Sequence, residues 1–447
     1  MRVAMISSVQ QTASAGCVAS RRLRAKKVHQ NMQAASNEVS AQLHHDLRHA
    51  VQSALATRRP LLHHLNADTS WLLQIPRPDS AVRNGARFYF NILLDPWLGG
   101  GQSDLASWFS QQWHVEKSAV GSVAQLEELA REMEILASGL RLGQGRKINT
   151  AIEAERGSDE TFIDAVAVSH EFTDHCHKET LLEVHPDVPV FAISEAAKLI
   201  QSWHHFRTVI TINNFGMEGE TDWRSSSVPP LPDWIGISRL LQTDDVLNYH
   251  SALMIAFNNQ HANYQSHQLH KSTPLPTTTP NTPATRKRHH APIAPNEDEE
   301  SAEAIIYTPH GISSGDLTLI PSASPPIHTL AFLHGLHNVR VSTATGRTAL
   351  QSNLGAHNGL KAQRILNAKY WIGTHDGVKR GGGLVAWFLQ RESLTLGDAL
   401  EEERRRKRRE GDARFTTQKN GDLDETVESF EGVNWVDLQN GESKVLV

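Results

Sequence analysis

Short runs of branched and aromatic residues, bounded by turn formers, predict strands along much of the chain. The first two are Ser70–Ile75, closed by Pro76, and Arg87–Leu94, which leads into Asp95-Pro96-Trp97-Leu98-Gly99. Others are expected at Ile163–Val168, Val188–Ile193, Val209–Ile212, Trp234–Leu241, Ser251–Phe257, Thr329–Leu333 and Lys369–Gly373. Val123, Leu126, Leu129, Met133 and Leu136 recur at helical spacing, which predicts a helix over 122–140. Shorter helices are expected at Thr180–Val184, Glu195–Trp203 and Gly359–Leu366.

Three stretches depart from this pattern. Residues 1–64 read as an extension with a possible helix from Val39 to Leu55. Residues 262–303 hold six prolines among Thr, Ser and His, then acids, and such a composition buries no core. They are expected to be a disordered insertion in one domain spanning 65–395, with order resuming at Ala304-Ile-Ile-Tyr-Thr-Pro-His310-Gly311. Residues 396–447 read as a solvated charged helix, centred on 401–410, and a polar tail.

Composition narrows the class. Two cysteines, Cys17 and Cys176, exclude a disulfide framework and fit a reducing compartment. A formal net charge of -5 gives no global case for nucleic-acid binding. No apolar run approaches the roughly 18–20 residues of a membrane span. A cytoplasmic location is expected. The acid-free, basic start before Glu38 leaves a mitochondrial transit peptide as the alternative, with Met32 as another candidate start.

Histidine is abundant, with 25 copies, and its positions are informative. Ile163–Val168 runs into His170, Asp174 and His175. Ile305–Tyr307 delivers His310, and Tyr370–Gly373 delivers His375. Ligands at strand ends are held by a rigid scaffold while loops vary around them. Zinc takes imidazole and carboxylate donors, and a catalytic site keeps one position open for water.

The segment Val168-Ser-His-Glu-Phe-Thr-Asp-His-Cys-His-Lys-Glu-Thr-Leu181 resembles the H-x-H-x-D-H motif of the metallo-β-lactamase superfamily. Leu94-Asp95-Pro96-Trp97-Leu98 looks like the early strand and loop of its branch of the L-ascorbate-6-phosphate lactonase and N-acyl-phosphatidylethanolamine phospholipase D type. His375 sits where that family places its last histidine ligand. The resemblance implies an α/β, αββα four-layer sandwich and a metal-dependent hydrolase of an ester, lactone, amide or phosphodiester bond in a small molecule. It implies metal ligation by His170, Asp174, His175, His310 and His375, with Asp174 also accepting a proton from the attacking water. Two departures stand out. Phe172 replaces the motif's second histidine, and Thr308-Pro309-His310-Gly311 replaces the turn that carries a bridging aspartate. One zinc ion is therefore expected rather than two. The competing expectation is a non-catalytic member of the fold that binds a ligand or protein.

Other signals are weaker. Asp95 is expected to orient histidines rather than ligate. His177, His250, His334 and His337 are secondary ligand candidates, whereas His44, His45, His289 and His290 are expected in solvent. Gly311-Ile-Ser313-Ser-Gly315 matches a nucleophile elbow, but Asp316-Leu-Thr-Leu-Ile-Pro321 follows where a helix is required.

Overall fold

The computed structural model describes residues 49, 51–54, 57–78, 81–82, 87–104, 106–142, 161–241, 249–259, 300–343, 347–415 and 433–447. The expected disorder in most of 1–64, in 262–303 and in 412–430 falls largely outside these residues.

In chain order the strands begin with β1 (Leu61–His64), β2 (Trp71–Pro76), β3 (Tyr89–Leu94), β4 (Gly101–Gln102) and β5 (Gln111–His114). Then come β6 (Ala165–Val168), β7 (Val190–Ala192), β8 (Val209–Thr211), β9 (Ile235–Leu241), β10 (Ser251–Phe257), β11 (Ala302–Thr308) and β12 (Ile327–His334). The last are β13 (Asn338–Ser342), β14 (Thr348–Leu354), β15 (Tyr370–Ile372), β16 (Lys379–Gly382), β17 (Leu389–Glu392), β18 (Trp435–Val436) and β19 (Ser443–Val445). The helices are α1 (Val123–Leu142), α2 (Lys178–Leu181), α3 (Ser194–Ser202), α4 (Gly355–Leu366) and α5 (Leu396–Phe415).

Two mixed sheets dominate. The first runs β19-β1-β2-β3-β6-β7-β8 and the second β18-β15-β12-β11-β10-β9. Strand β10 shows how they pack. Leu253, Ile255 and Phe257 enter the core shared by both sheets, while Ala252, Met254 and Ala256 enter the core beneath α4. That period-two split is what a strand buried on both faces requires. On the other side, Met133 and Ala137 of α1 pack against Leu61 and Tyr89. Helix, sheet, sheet and helix form the αββα sandwich that the resemblance implied. Two small sheets, β4-β5-β16 and β13-β14-β17, lie outside it.

Most predicted strands and helices appear, with ends shifted by a few residues. The segment read as a polar tail differs more. Strand β18 pairs in parallel with β15, and β19 pairs antiparallel with β1, placing Leu61 against Val445. Its apolar residues, Trp435, Val436, Val445 and Leu446, are too few and too interspersed with polar ones to announce strands. Strand β1, inside the segment read as an extension, reads Leu-Leu-His-His and is fully buried.

Candidate metal centre

Parallel strands bring their carboxyl ends to one rim. Strands β3 and β6 are parallel neighbours, as are β11, β12 and β15. Asp95 follows β3, and Ser169 and His170 follow β6. His310 follows β11, and Thr374 and His375 follow β15. Asp95 and His375 both adopt left-handed backbone, at φ 39° and 59°. Such conformations are costly outside glycine and persist where surrounding contacts fix them. Here the His375 N–H donates to the Asp68 carbonyl at 2.9 Å, and the Trp71 indole donates to Thr374 Oγ1 at 3.0 Å. A Cβ at Gly377 would lie 2.3 Å from the Ala67 carbonyl oxygen, so only glycine lets the two loops run this close.

Three imidazoles are anchored in the same manner. His175 Nδ1 lies 2.8 Å from Asp95 Oδ2, His375 Nδ1 3.2 Å from Asp68 Oδ2, and His310 Nδ1 3.2 Å from Asn353 Oδ1. The Asp95 and Asn353 oxygens accept, so the neutral tautomers of His175 and His310 that donate to them leave Nε2 bare, whereas His375 Nδ1 faces both the Asp68 carboxylate and, at 3.3 Å, the Lys379 ammonium. A fixed oxygen behind the ring is the usual support of a metal-bound histidine. The three ring centroids stand 4.9–5.0 Å apart. His175 Nε2 and His310 Nε2 face each other at 3.0 Å. Two bare lone pairs at that distance repel unless a proton or a cation lies between them. Asp174 completes the group, 3.6 Å from His175 Nε2 and 3.8 Å from His375 Nε2. Tetrahedral zinc with bonds of about 2.0–2.1 Å puts its ligand atoms about 3.3 Å apart, so the spacing fits such an ion.

Two groupings have ligand atoms within 4.8 Å of one another: His170, His175 and His310, and Asp174, His175 and His375. His175 belongs to both. One Nε2 has one lone pair, so the two groupings cannot each hold an ion of their own. His170 is also engaged elsewhere, with Nε2 2.8 Å from the Tyr249 carbonyl and Nδ1 2.8 Å from Ser169 Oγ. Phe172 stacks on Tyr249 with centroids 4.6 Å apart.

Burial and charge oppose each other throughout. Burial alone would raise the Asp174 carboxyl, but the Lys379 ammonium and the nearby imidazoles outweigh it and hold it well below the usual range. Burial, then the His170 and His175 rings, drives His310 well below its ordinary value. Burial and Lys379 lower His375. Burial likewise disfavours charge on His175, yet Asp174 and Asp95 overcome it and raise that ring. Asp95 is itself held by the Tyr307 hydroxyl at 2.8 Å, the Ser169 N–H at 2.7 Å and the Ser169 hydroxyl.

All five residues singled out in the sequence therefore come to one rim. Asp95 stands behind His175, as its reading as an orienting carboxylate implied. The secondary candidates lie elsewhere. His177 caps α2 by accepting from the Thr180 N–H, His334 bonds Gly335 O and Asn358, and His337 faces Asp376. His250 is in neither grouping. Cys176, next to His175, packs into the core between the sheets. Ser313 is no elbow nucleophile, since a short 3-10 turn, Ser314–Leu317, follows it where the motif requires a helix. Sequence reasoning missed Asp68, Asn353 and Lys379. Lys379 alone carried a signal, four residues beyond His375, and nothing marked it as pointing inward.

No protein-family model matches the chain, and no curated protein does. Solved structures do. An isothiocyanate hydrolase from Delia radicum gut bacteria is 11% identical, with a TM-score of 0.41, over 87% of this chain and 99% of that one. A possible metal-dependent hydrolase from Veillonella parvula DSM 2008 is 11% identical, with a TM-score of 0.42, over 87% and 100%. The metallo-β-lactamase fold protein YhfI from Bacillus subtilis is 9% identical, with a TM-score of 0.33, over 86% and 99%. No helix among the described residues is long and apolar enough to cross a membrane.

Proposed function

We propose that the chain is a metal-dependent hydrolase of small molecules that uses one zinc ion. Asp174, His175 and His375 hold the ion, and His310 stands beside His175 as a further donor. His170 joins the set only by giving up the Tyr249 carbonyl. The observation that carries this reading is the common anchoring of three rings through Nδ1, with Nε2 of His175 and of His375 within 4 Å of the Asp174 carboxylate. The donors are nitrogen and oxygen, a set that zinc accepts in hydrolytic sites. When bound, such an ion acidifies water near neutral pH and polarises the bond to be cleaved.

The chain's own residues supply the rest. Asp95 and Asp68 fix which nitrogen of His175 and His375 faces the centre. Ester, lactone, amide and phosphodiester bonds all suit this chemistry. Elemental analysis of purified protein, paired with a panel of chromogenic esters, lactones, amides and phosphodiesters, tests the reading. About one equivalent of zinc and metal-dependent turnover are expected, while an intact fold without metal overturns it. Phe172 favours a second reading, a non-catalytic ligand-binding protein, because its ring fills the place beside His170 where another imidazole would ligate.

A further inference from the structure

A lysine sits inside the centre. Lys379 begins β16, whose small sheet with β4 and β5 brings Lys379 opposite His114. Its side chain is 8% exposed, and its Nζ lies 2.7 Å from Asp68 Oδ2 and 3.0 Å from Asp174 Oδ2. It is 3.3 Å from His375 Nδ1 and 5.7 Å from the centroid of the Trp97 ring. Two carboxylates and an aromatic face make this a built place for a cation. Burying an ammonium is costly unless it is paired, so the pairing has to be close, and it is.

The charge count explains what the lysine does there. The carboxylates touching the anchored histidines and Lys379 are Asp68, Asp95 and Asp174, three negative charges. Lys379 returns one positive charge, and the remainder equals the charge of one divalent ion. Asp104 is nearby, but it accepts from the Thr173 N–H and hydroxyl rather than from the histidines. Lys379 also occupies Asp174 Oδ2, leaving Oδ1, the oxygen nearer His175, for an ion.

We propose that Lys379 is a built-in counter-cation that takes the place of a second metal ion, ties Asp174 into single-oxygen ligation and limits the centre to one divalent ion. The proposal rests on the one-ion reading above and extends it. Lys379 is a positioning residue and makes no bond to substrate in this scheme.

Zinc binding by Lys379→Met and Lys379→Arg tests it, read as stoichiometry by elemental analysis after dialysis and as affinity by competition with a chromophoric chelator. In Lys379→Met the zinc content rises from about one equivalent towards two, or the first ion binds at least roughly tenfold tighter. Tenfold is a modest expectation for removing one unit charge a few ångströms from a dication. Lys379→Arg keeps the charge and keeps wild-type stoichiometry. Identical stoichiometry and affinity in Lys379→Met and wild type overturn the proposal. If Lys379→Met folds only when zinc is present, the ion has replaced the ammonium and the proposal stands. Failure of zinc to rescue the fold overturns it. Absence of zinc from wild type overturns the one-ion reading and the proposal with it, whereas one equivalent in wild type with no change in Lys379→Met overturns the lysine's role alone, so the two failures are distinguishable.

Discussion

His63 of β1 and the histidines of the metal centre are alike in residue type and burial, and differ in what their rings face. His63 spends both nitrogens, with Nδ1 2.6 Å from Ser443 Oγ and Nε2 2.7 Å from Gln74 Oε1. His175, His310 and His375 spend Nδ1 on a fixed oxygen and turn Nε2 towards one another or towards Asp174. A saturated ring is a structural cross-link between strands. An unpartnered nitrogen alone does not make a ligand, since His64 anchors Nδ1 on the Leu438 carbonyl and leaves Nε2 unpartnered against Trp71; convergence with other donors, not burial, separates the two.

The largest test removes Asp174, the carboxylate beside His175 and His375. Asp174→Ala should lose zinc and hydrolysis together, to background, in elemental analysis and in the substrate panel. Retention of one equivalent would break the comparison, because the three rings alone would then suffice. Next comes the support behind a ring. Asp95→Asn removes the acceptor that fixes His175 and should weaken zinc binding by about 10- to 100-fold, as loss of such partners typically does. Unchanged affinity would mean that Nδ1 anchoring does not mark a ligand.

The saturated ring predicts a pH effect of opposite kind. Burial, only partly offset by Gln74, depresses His63 to about 4 from its ordinary value of 6.5. The unfolded chain therefore binds the extra proton first. The stability from this group is complete above pH 6.5 and is lost as pH falls towards about 4, up to about 3 kcal/mol at 1.36 kcal/mol per unit. Urea unfolding of metal-free protein between pH 7 and pH 4 should show the loss, and His63→Gln should flatten it. His63→Ala should cost about 2–3 kcal/mol at pH 7, since Gln74 loses a buried partner, and should leave zinc content unchanged. A loss of zinc there would merge the two classes of histidine. The smallest effect is expected at Phe172. Phe172→Leu removes its stacking on Tyr249 for about 1 kcal/mol and should not alter zinc content.

The sequence disclosed the site's ligands better than its charge balance. His170, Asp174, His175, His310 and His375 were legible because each closes an apolar strand or follows one closely, and a strand end is a local signal. Asp68 and Lys379 were not, because each depends on a loop or small strand folding back across the rim. His375 and Asp68 meet across 307 positions of chain. Strands β2, β3, β6 and β10 were visible for the same local reason, as runs of Val, Ile, Leu, Phe and Trp. Strands β16 and β19 were not, since an edge strand of Lys-Arg-Gly-Gly or Ser-Lys-Val gains its conformation from a neighbour rather than from its own residues.

The pairing of β1 with β19 bears on how the molecule is made. Leu61 leaves the ribosome long before Val445, and its outer edge stays unclothed until the final stretch arrives. Closing so long a loop is slow, and an unpaired strand edge invites wrong partners in the meantime. Arg59, whose guanidinium reaches the Leu446 carbonyl, fastens the same seam once it closes. During synthesis the edge of β1 therefore stays open to other partners until β19 arrives.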